Sequence, residues 1–235
     1  MSDIEVYTHN PEHYETLQFK RPDYRAGIDA FVALSKKYLK KGFDVADFCS
    51  GTGSNSKLVS EKLGGLGQVL LIDINKDFLD IGTKSGIGAD KLLTLQSDIL
   101  KARFDKKYDA VIAMFAYHHV RDTEKAKFIE QIKSALKNNG IVVLGEIYSP
   151  DRATVLKYYD ALYNAVSEKD KGDELKNFLK QTAESGDFEF KVSRSFAHKQ
   201  FKDAGFTLLE SERVWNGNGQ FDVDTGMFIE VWKLN

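Results

Sequence analysis

Residues 43–56 read FDVADFCSGTGSNS, and within them an acid and two glycines are spaced as a ligand site needs them. The apolar run Val45-Ala46-Asp47-Phe48 ends in a small-residue turn, Cys49-Ser50-Gly51-Thr52-Gly53. A helical pattern follows, with Leu58, Val59 and Leu63 on one side. A strand, a glycine turn and a helix start present free backbone N–H groups and let a ligand approach the main chain closely. Gly51 and Gly53 supply the permissive backbone, and Asp47 supplies a carboxylate at the strand's end. A glycine turn alone is a weak signal, because ordinary α/β proteins have such turns. The next apolar run, Gln68 to Ile72, strengthens it by ending in Asp73. An acid about 20 residues past the turn suits a carboxylate gripping the hydroxyls of a ribose. The ligand therefore reads as a nucleoside.

A dinucleotide turn of the G-x-G-x-x-G type carries a third glycine, and here Asn55 and Ser56 stand where it would fall. An acid just before the turn favours a cation over a phosphate. Asp-x-x-x-Gly-Thr-Gly, followed by a strand ending in Asp73, resembles the class I S-adenosylmethionine (SAM)-dependent methyltransferases. The chain departs from their pattern once, with Cys49 where the first of three alternating glycines usually falls. Cysteine is small, so the expectation is a slightly altered turn with the site retained. The resemblance implies SAM as cofactor. Asp47 and the backbone of Cys49, Ser50, Gly51 and Gly53 would hold its methionine end. Asp73, with Ile74 beside it, would bind the ribose. Asp98 and Ile99, just past the third strand, would meet the adenine, although Asp98 alone reads equally well as a turn residue capping local N–H groups. An aromatic segment near the N-terminus would close the pocket, with Tyr14 or Tyr24 near the methionine part.

Lys107 to Met114 read as a fourth strand and run into Phe115-Ala116-Tyr117-His118-His119-Val120. This resembles the "Phe-Asp-x-Val … His-His" stretch of many small-molecule methyltransferases. Met114 and Phe115 would then lie beside the cofactor's sulfonium, where an aromatic face favours the cation. His118 and His119 are candidate catalytic residues. Adjacent side chains diverge along a regular element, so no two-histidine metal site is expected. One ring would be packed or hydrogen-bonded, and the other would face substrate as a base near neutral pH. Glu146 and Tyr148, at the end of a fifth apolar strand, complete the catalytic candidates. A carboxylate there can equally hold a neighbouring loop.

These side chains need an open α/β sheet to bring them together. Apolar runs at 45–48, 68–72, 92–95, 107–114 and 141–144 alternate with helical patterns, the first of which opens at Pro22-Asp23. Residues 1–22 (Tyr7, His9, His13, Tyr14 and Phe19 among them) show no clean periodicity and read as an arm. Residues 149–192 read as an inserted helical cap after the fifth strand. The strand at 206–215, the turn Asn216-Gly217-Asn218-Gly219 and the strand at 227–232 read as a terminal antiparallel hairpin. A dinucleotide fold ends parallel, so the hairpin supports the resemblance independently of the glycine turn. The expected architecture is one α/β domain over 1–235, with a Rossmann-like seven-stranded sheet, helices on both faces and an antiparallel last strand.

With 235 residues and 42% hydrophobic content, the chain can bury a full core. A net charge of −2 gives no nucleic-acid signature. One cysteine excludes an internal disulfide framework and fits a reducing cytosol. No run approaches the roughly 18 apolar residues of a membrane span, and the first residues lack a signal-peptide layout. The expectation is a cytoplasmic enzyme that methylates a small molecule, with neither nucleic acid nor membrane as partner. The alternatives are an RNA- or protein-modifying methyltransferase, a non-catalytic SAM-binding protein and, against the glycine pattern, an NAD-dependent oxidoreductase.

Overall fold

The structure is a computed structural model and describes residues 11–184 and 189–235. The expectations placed on Tyr7 and His9 lie outside the described residues. Seven strands form one sheet: β1 (Val45–Phe48), β2 (Leu66–Asp73), β3 (Ala89–Gln96), β4 (Tyr108–Met114), β5 (Leu136–Tyr148), β6 (Phe206–Trp215) and β7 (Gly226–Leu234). Their order is β3-β2-β1-β4-β5-β7-β6. The first five pair in parallel, while β7 is antiparallel to both β5 and β6. The chain reverses direction in the sheet order at β1, between β2 and β4. In an open parallel sheet that is where the loops diverge and leave a crevice at the strands' carboxyl ends.

The inner strands are apolar on both faces because helices cover both. Alternate residues go to opposite sides: Val45, Val69, Leu71 and Ile112 to one core, Ala46, Phe48, Leu70 and Ile72 to the other. The first core takes side chains from α1 (Pro11–Lys20), α2 (Pro22–Tyr38), α3 (Ser54–Leu63) and α4 (Lys76–Gly82). It also takes the cap helices α6 (Arg152–Ala165) and α7 (Asp173–Glu184). The second core takes α5 (Lys125–Ala135) and α8 (Arg194–Asp203).

Two expectations about local structure change. Residues 11–20 form a helix, whereas the sequence reads there as an irregular arm. Its apolar positions do not make one stripe because its contacts are split. Tyr14 meets Phe78 and Phe178, Leu17 is buried, and Phe19 packs edge-on against Tyr24. Helix α5 also passes straight into β5, which begins at Leu136 and not at the apolar run 141–144, with Asn139 at φ +60° inside the strand. No helix among the described residues is long and apolar enough to cross a membrane.

Candidate active site

The crevice at the carboxyl ends of β1, β2, β3 and β4 is a cavity of about 450 Å³. Its floor is the turn after β1. Cys49, Gly51 and Gly53 have φ of +55°, +53° and +74°. Two of these left-handed positions are glycines, which adopt that conformation freely. The third is Cys49, at the position where the resemblance expects glycine. The turn keeps its shape, and the cysteine carries the backbone strain. Burial pushes the Cys49 thiol well above its ordinary pKa, which disfavours the thiolate.

Asp73 ties this turn to the end of β2. Its Oδ2 accepts from Gly51 N at 2.9 Å and its Oδ1 from Asn75 N at 2.9 Å. A carboxylate has about four lone-pair sites, so two remain for a ligand on the cavity wall. Burial raises its pKa. Ile74, Asp98, Ile99, Met114 and Phe115 also line the cavity. Asp98 both lines it and caps the short turn Ile99–Lys101, accepting from Leu100 N at 2.9 Å. The two readings of that residue are compatible.

Tyr14 and Tyr24 form the cavity's far wall. Tyr24 stacks on Phe115 with ring centroids 5.7 Å apart and planes 16° apart. Phe115 itself has φ +57°, which turns its ring out of the strand toward Tyr24. Helix α1 is latched over the glycine turn by Glu15, whose Oε1 accepts from Thr52 Oγ1 at 3.3 Å and from Ser54 Oγ. Two polar atoms on cavity-lining residues are buried without a hydrogen-bond partner, Ser50 Oγ and Asn55 Oδ1. A buried polar atom left alone costs roughly 1–3 kcal/mol.

Five predicted residues stand elsewhere than at the cavity wall, His118 among them. Asp47 is 2% exposed beneath the turn, where Ser56 Oγ donates to it at 2.7 Å. Burial lifts its pKa to about 7, with the Asp73 charge adding to the shift. Gly53 caps α3, and a Cβ there would press on Leu71 and Ile87 at 3.1 Å, so its place is one of packing. Tyr148 belongs to the second core, where its hydroxyl donates to Glu230 at 3.0 Å. It points away because β5 alternates its faces. Glu146 is 1% exposed and accepts from Ile147 N at 2.7 Å and from His118 N at 3.0 Å.

His119 closes the other end of the cavity, with His118 behind it. His118 is buried, with Nδ1 hydrogen-bonded to Glu146 Oε1, and burial holds its pKa well below the ordinary value. His119 lines the cavity. Their rings lie 4.1 Å apart. They do not diverge, because Tyr117–His119 is a single 3-10 turn and not a regular strand or α-helix. That removes the geometric premise on which the sequence excludes a shared site. Lys125 fixes the turn from below. Its buried ammonium donates to the carbonyls of Tyr117 and Val120, both at 2.9 Å, and burial lowers its pKa to about 8.

Sequence reasoning misses Glu15, Asn55, Phe78, Phe190 and Lys125. Phe78 carries a readable signal, an aromatic ring in the helix just after the ribose-type acid. Phe190 and Lys125 carry none, since their roles depend on which segments meet.

Residues 45–140 match the family model described as a methyltransferase domain. The strand order and its antiparallel close are those of the class I SAM-dependent methyltransferase fold. It is 32% identical over 127 residues to the ubiquinone/menaquinone biosynthesis C-methyltransferase UbiE of Saccharophagus degradans, covering 52% of this chain and 50% of that protein. The chain spans about half the length of the curated relatives it matches. Two solved structures share its fold. The N-methyltransferase NodS from Bradyrhizobium japonicum, in complex with S-adenosylhomocysteine, has a TM-score of 0.61 at 11% identity, over 91% of this chain and 88% of that one. The magnesium protoporphyrin IX methyltransferase ChlM from Synechocystis, with the same compound bound, has a TM-score of 0.62 at 17% identity, over 88% and 82%.

Proposed function

We propose that this chain transfers a methyl group from SAM to a nucleophilic atom of a small molecule. The observation that carries the reading is the cavity wall. Asp73 offers free carboxylate lone pairs there, and the buried, unpartnered Ser50 Oγ and Asn55 Oδ1 flank the glycine turn. These groups fit a ligand with a ribose diol and a polar amino-acid end. When bound, SAM supplies a methyl carbon made electrophilic by its sulfonium.

The residues divide the work. Asp73 would accept from the ribose hydroxyls, with Ile74 beside it. Asp98 would accept from the adenine amino group while Ile99 packs on the ring. The backbone of Cys49, Ser50 and Gly51 would hold the methionine end. Asp47 and Gly53 act beneath them by holding the turn's shape. Tyr14, Tyr24 and Phe115 present aromatic faces, which favour a sulfonium charge, and Met114 fills the space behind. Helix α1, latched by Glu15, excludes water from the transfer, and the alignment of nucleophile with methyl carbon provides most of the rate.

The acceptor would enter beside His119 and Phe190, the end of the cavity with no ribose- or adenine-type partner. One relative is named for C-methylation in ubiquinone/menaquinone biosynthesis and another for methylation of magnesium protoporphyrin IX, and the charge of −2 suits a small acceptor. The lone, free cysteine agrees with a reducing compartment, and we place the reaction in the cytoplasm.

The test is calorimetric titration with SAM, S-adenosylhomocysteine and NAD in parallel. Binding of the first two with NAD silent is expected and leads directly to an acceptor screen for methyl transfer. Silence toward SAM, or heat from NAD alone, overturns the reading.

A further inference from the structure

Behind the acceptor end of the cavity lies a second, much smaller void of about 20 Å³. His118, His119 and Glu189 stand in its wall, with Tyr14, Gln18 and Arg21 among the others. One potential ligand atom from each of the three lies within 4.8 Å of the other two. The His118 Nε2 to Glu189 Oε2 distance is 3.7 Å. A void of this size has room for one small species, since a single water needs roughly 10–15 Å³ on the same measure.

The hydrogen bonding decides what that species should be. Glu146 accepts from the backbone N–H groups of His118 and Ile147, and as a carboxylate it also takes the proton on His118 Nδ1. His118 therefore turns a lone pair, not an N–H, toward Glu189. Two acceptors facing each other at 3.7 Å favour a cation between them, a place for which the Lys191 ammonium on Glu189 Oε2 competes. A carboxylate behind the distal nitrogen is also the arrangement that orients metal-bound histidines. The positions of the three groups are built in. Lys125 holds the 117–119 turn, and Phe190 N donates to His118 O at 2.7 Å, fastening the irregular segment that carries Glu189 against it.

We propose that His118, His119 and Glu189 bind a late first-row divalent cation such as zinc, with Glu146 as the positioning residue for His118. Two nitrogens and one carboxylate oxygen make a mixed set suited to such ions and leave coordination positions open. With bonds of about 2.0–2.2 Å, tetrahedral ligand atoms sit roughly 3.4 Å apart, so the His118–Glu189 edge closes by a few tenths of an ångström and no edge by more than about 1.4 Å. Lys191 opposes the ion. Its side chain is 1% exposed and its ammonium bonds Glu189 Oε2, so a metal must share or displace that contact. Arg21 also lines the void, but its charge is spent on Asp23 at 2.8 Å and Gln18 at 2.7 Å. His119 lines both the void and the main cavity, so a bound ion would turn an open position toward the acceptor. That last step rests on the methyltransferase reading and selects acceptors bearing an oxygen lone pair. The ion site itself does not depend on it.

The experiment is zinc titration of the full, chelator-stripped chain against a chromophoric chelator, with Co²⁺ absorption as a report on geometry and S-adenosylhomocysteine binding measured separately. One zinc per chain is expected, with d–d bands of low coordination number for cobalt. His119→Ala, at a partly exposed position, should weaken zinc at least about 100-fold while leaving S-adenosylhomocysteine affinity within a few-fold. Glu146→Gln should weaken it about 10- to 100-fold. Lys191→Met should tighten it, because the competing ammonium is gone. Zinc binding that is absent, or that ignores both His119→Ala and Lys191→Met, overturns the site even where S-adenosylhomocysteine still binds. Loss of S-adenosylhomocysteine binding with zinc intact overturns the cofactor reading instead.

Discussion

The two ends of the cavity are built in different ways. At one end, the wall comes from three short turns that each follow a strand: Cys49–Asn55 after β1, Asp73–Phe78 after β2, and Ser97–Leu100 after β3. Parallel pairing puts those strand ends side by side, with Phe48 opposite Ile72 and Asp73 opposite Gln96. A residue's position there follows from its place in its own turn. At the other end, Tyr14 arrives from α1, Phe115 and His119 from the turn after β4, and Phe190 from the segment after the cap. These meet only through long-range contacts such as Glu15 to Ser54 and Phe190 N to His118 O. The first end is set by topology and is open to many ligand-binding uses. The second is where a particular chain acquires its own chemistry.

Asp73→Ala attacks the first end most directly. It removes two lone-pair partners for a ribose diol and should weaken S-adenosylhomocysteine by about 100-fold, from loss of hydrogen bonds to a charged group of about 1.5–3 kcal/mol. Asp47→Asn keeps the acceptor for Ser56 Oγ and should change that affinity less than about threefold. Equal losses in the two variants, measured by calorimetry, would dissolve the distinction between wall and underpinning. Tyr14→Ala tests the second end. It removes a ring from the wall and from contacts with Phe78 and Phe178, and about a tenfold loss of affinity is expected, about 1.4 kcal/mol. No loss at all would separate α1 from the site.

The pH dependence of stability separates the two aspartates further. Burial raises the Asp47 pKa from its ordinary 3.8 to about 7, so the folded chain holds a proton that the unfolded chain has already released. Its stabilising contribution is complete below pH of about 4, declines as pH rises toward 7, and levels off above that. The slope cannot exceed about 1.4 kcal/mol per pH unit for one proton. Chemical denaturation of the parent chain and of Asp47→Asn at several pH values gives the difference directly. A parent that gains stability relative to Asp47→Asn over that window would contradict the sign. The smallest effect belongs to Cys49→Gly. It relieves a non-glycine residue at φ +55°, a strain of about 1–2 kcal/mol, but it loses the side chain's packing and frees the unfolded chain. A net gain below about 1 kcal/mol in thermal unfolding is expected, with cofactor affinity unchanged. A large loss would mean that Cys49 packs more than it strains.

The shape of the glycine turn, the positions of Asp73 and Asp98 at the cavity wall and the terminal hairpin were legible because each is local. Gly51 and Gly53 announce positive φ, an acid at a strand's end announces a partner for hydroxyls, and Asn-Gly repeats announce a hairpin. Tyr148 was not legible, because period-two alternation places Glu146 and Tyr148 on one face while the sequence alone does not say which face meets the cavity. The latch at Glu15 was equally hidden, since its partners Thr52 and Ser54 are more than thirty residues away and polar contacts at that distance leave no periodic trace.

The amino-acid sequence by itself determined the order of strands and helices, the shape of the β1 turn and the carboxylates that rim it, because backbone freedom and apolar periodicity act over a few residues. Only the tertiary structure decided that Asp47 lies beneath the floor, that His118 and His119 face one small void, and that Glu189 stands opposite them. Those positions depend on a 3-10 turn held by the buried ammonium of Lys125 and on segments brought together by packing of the whole sheet.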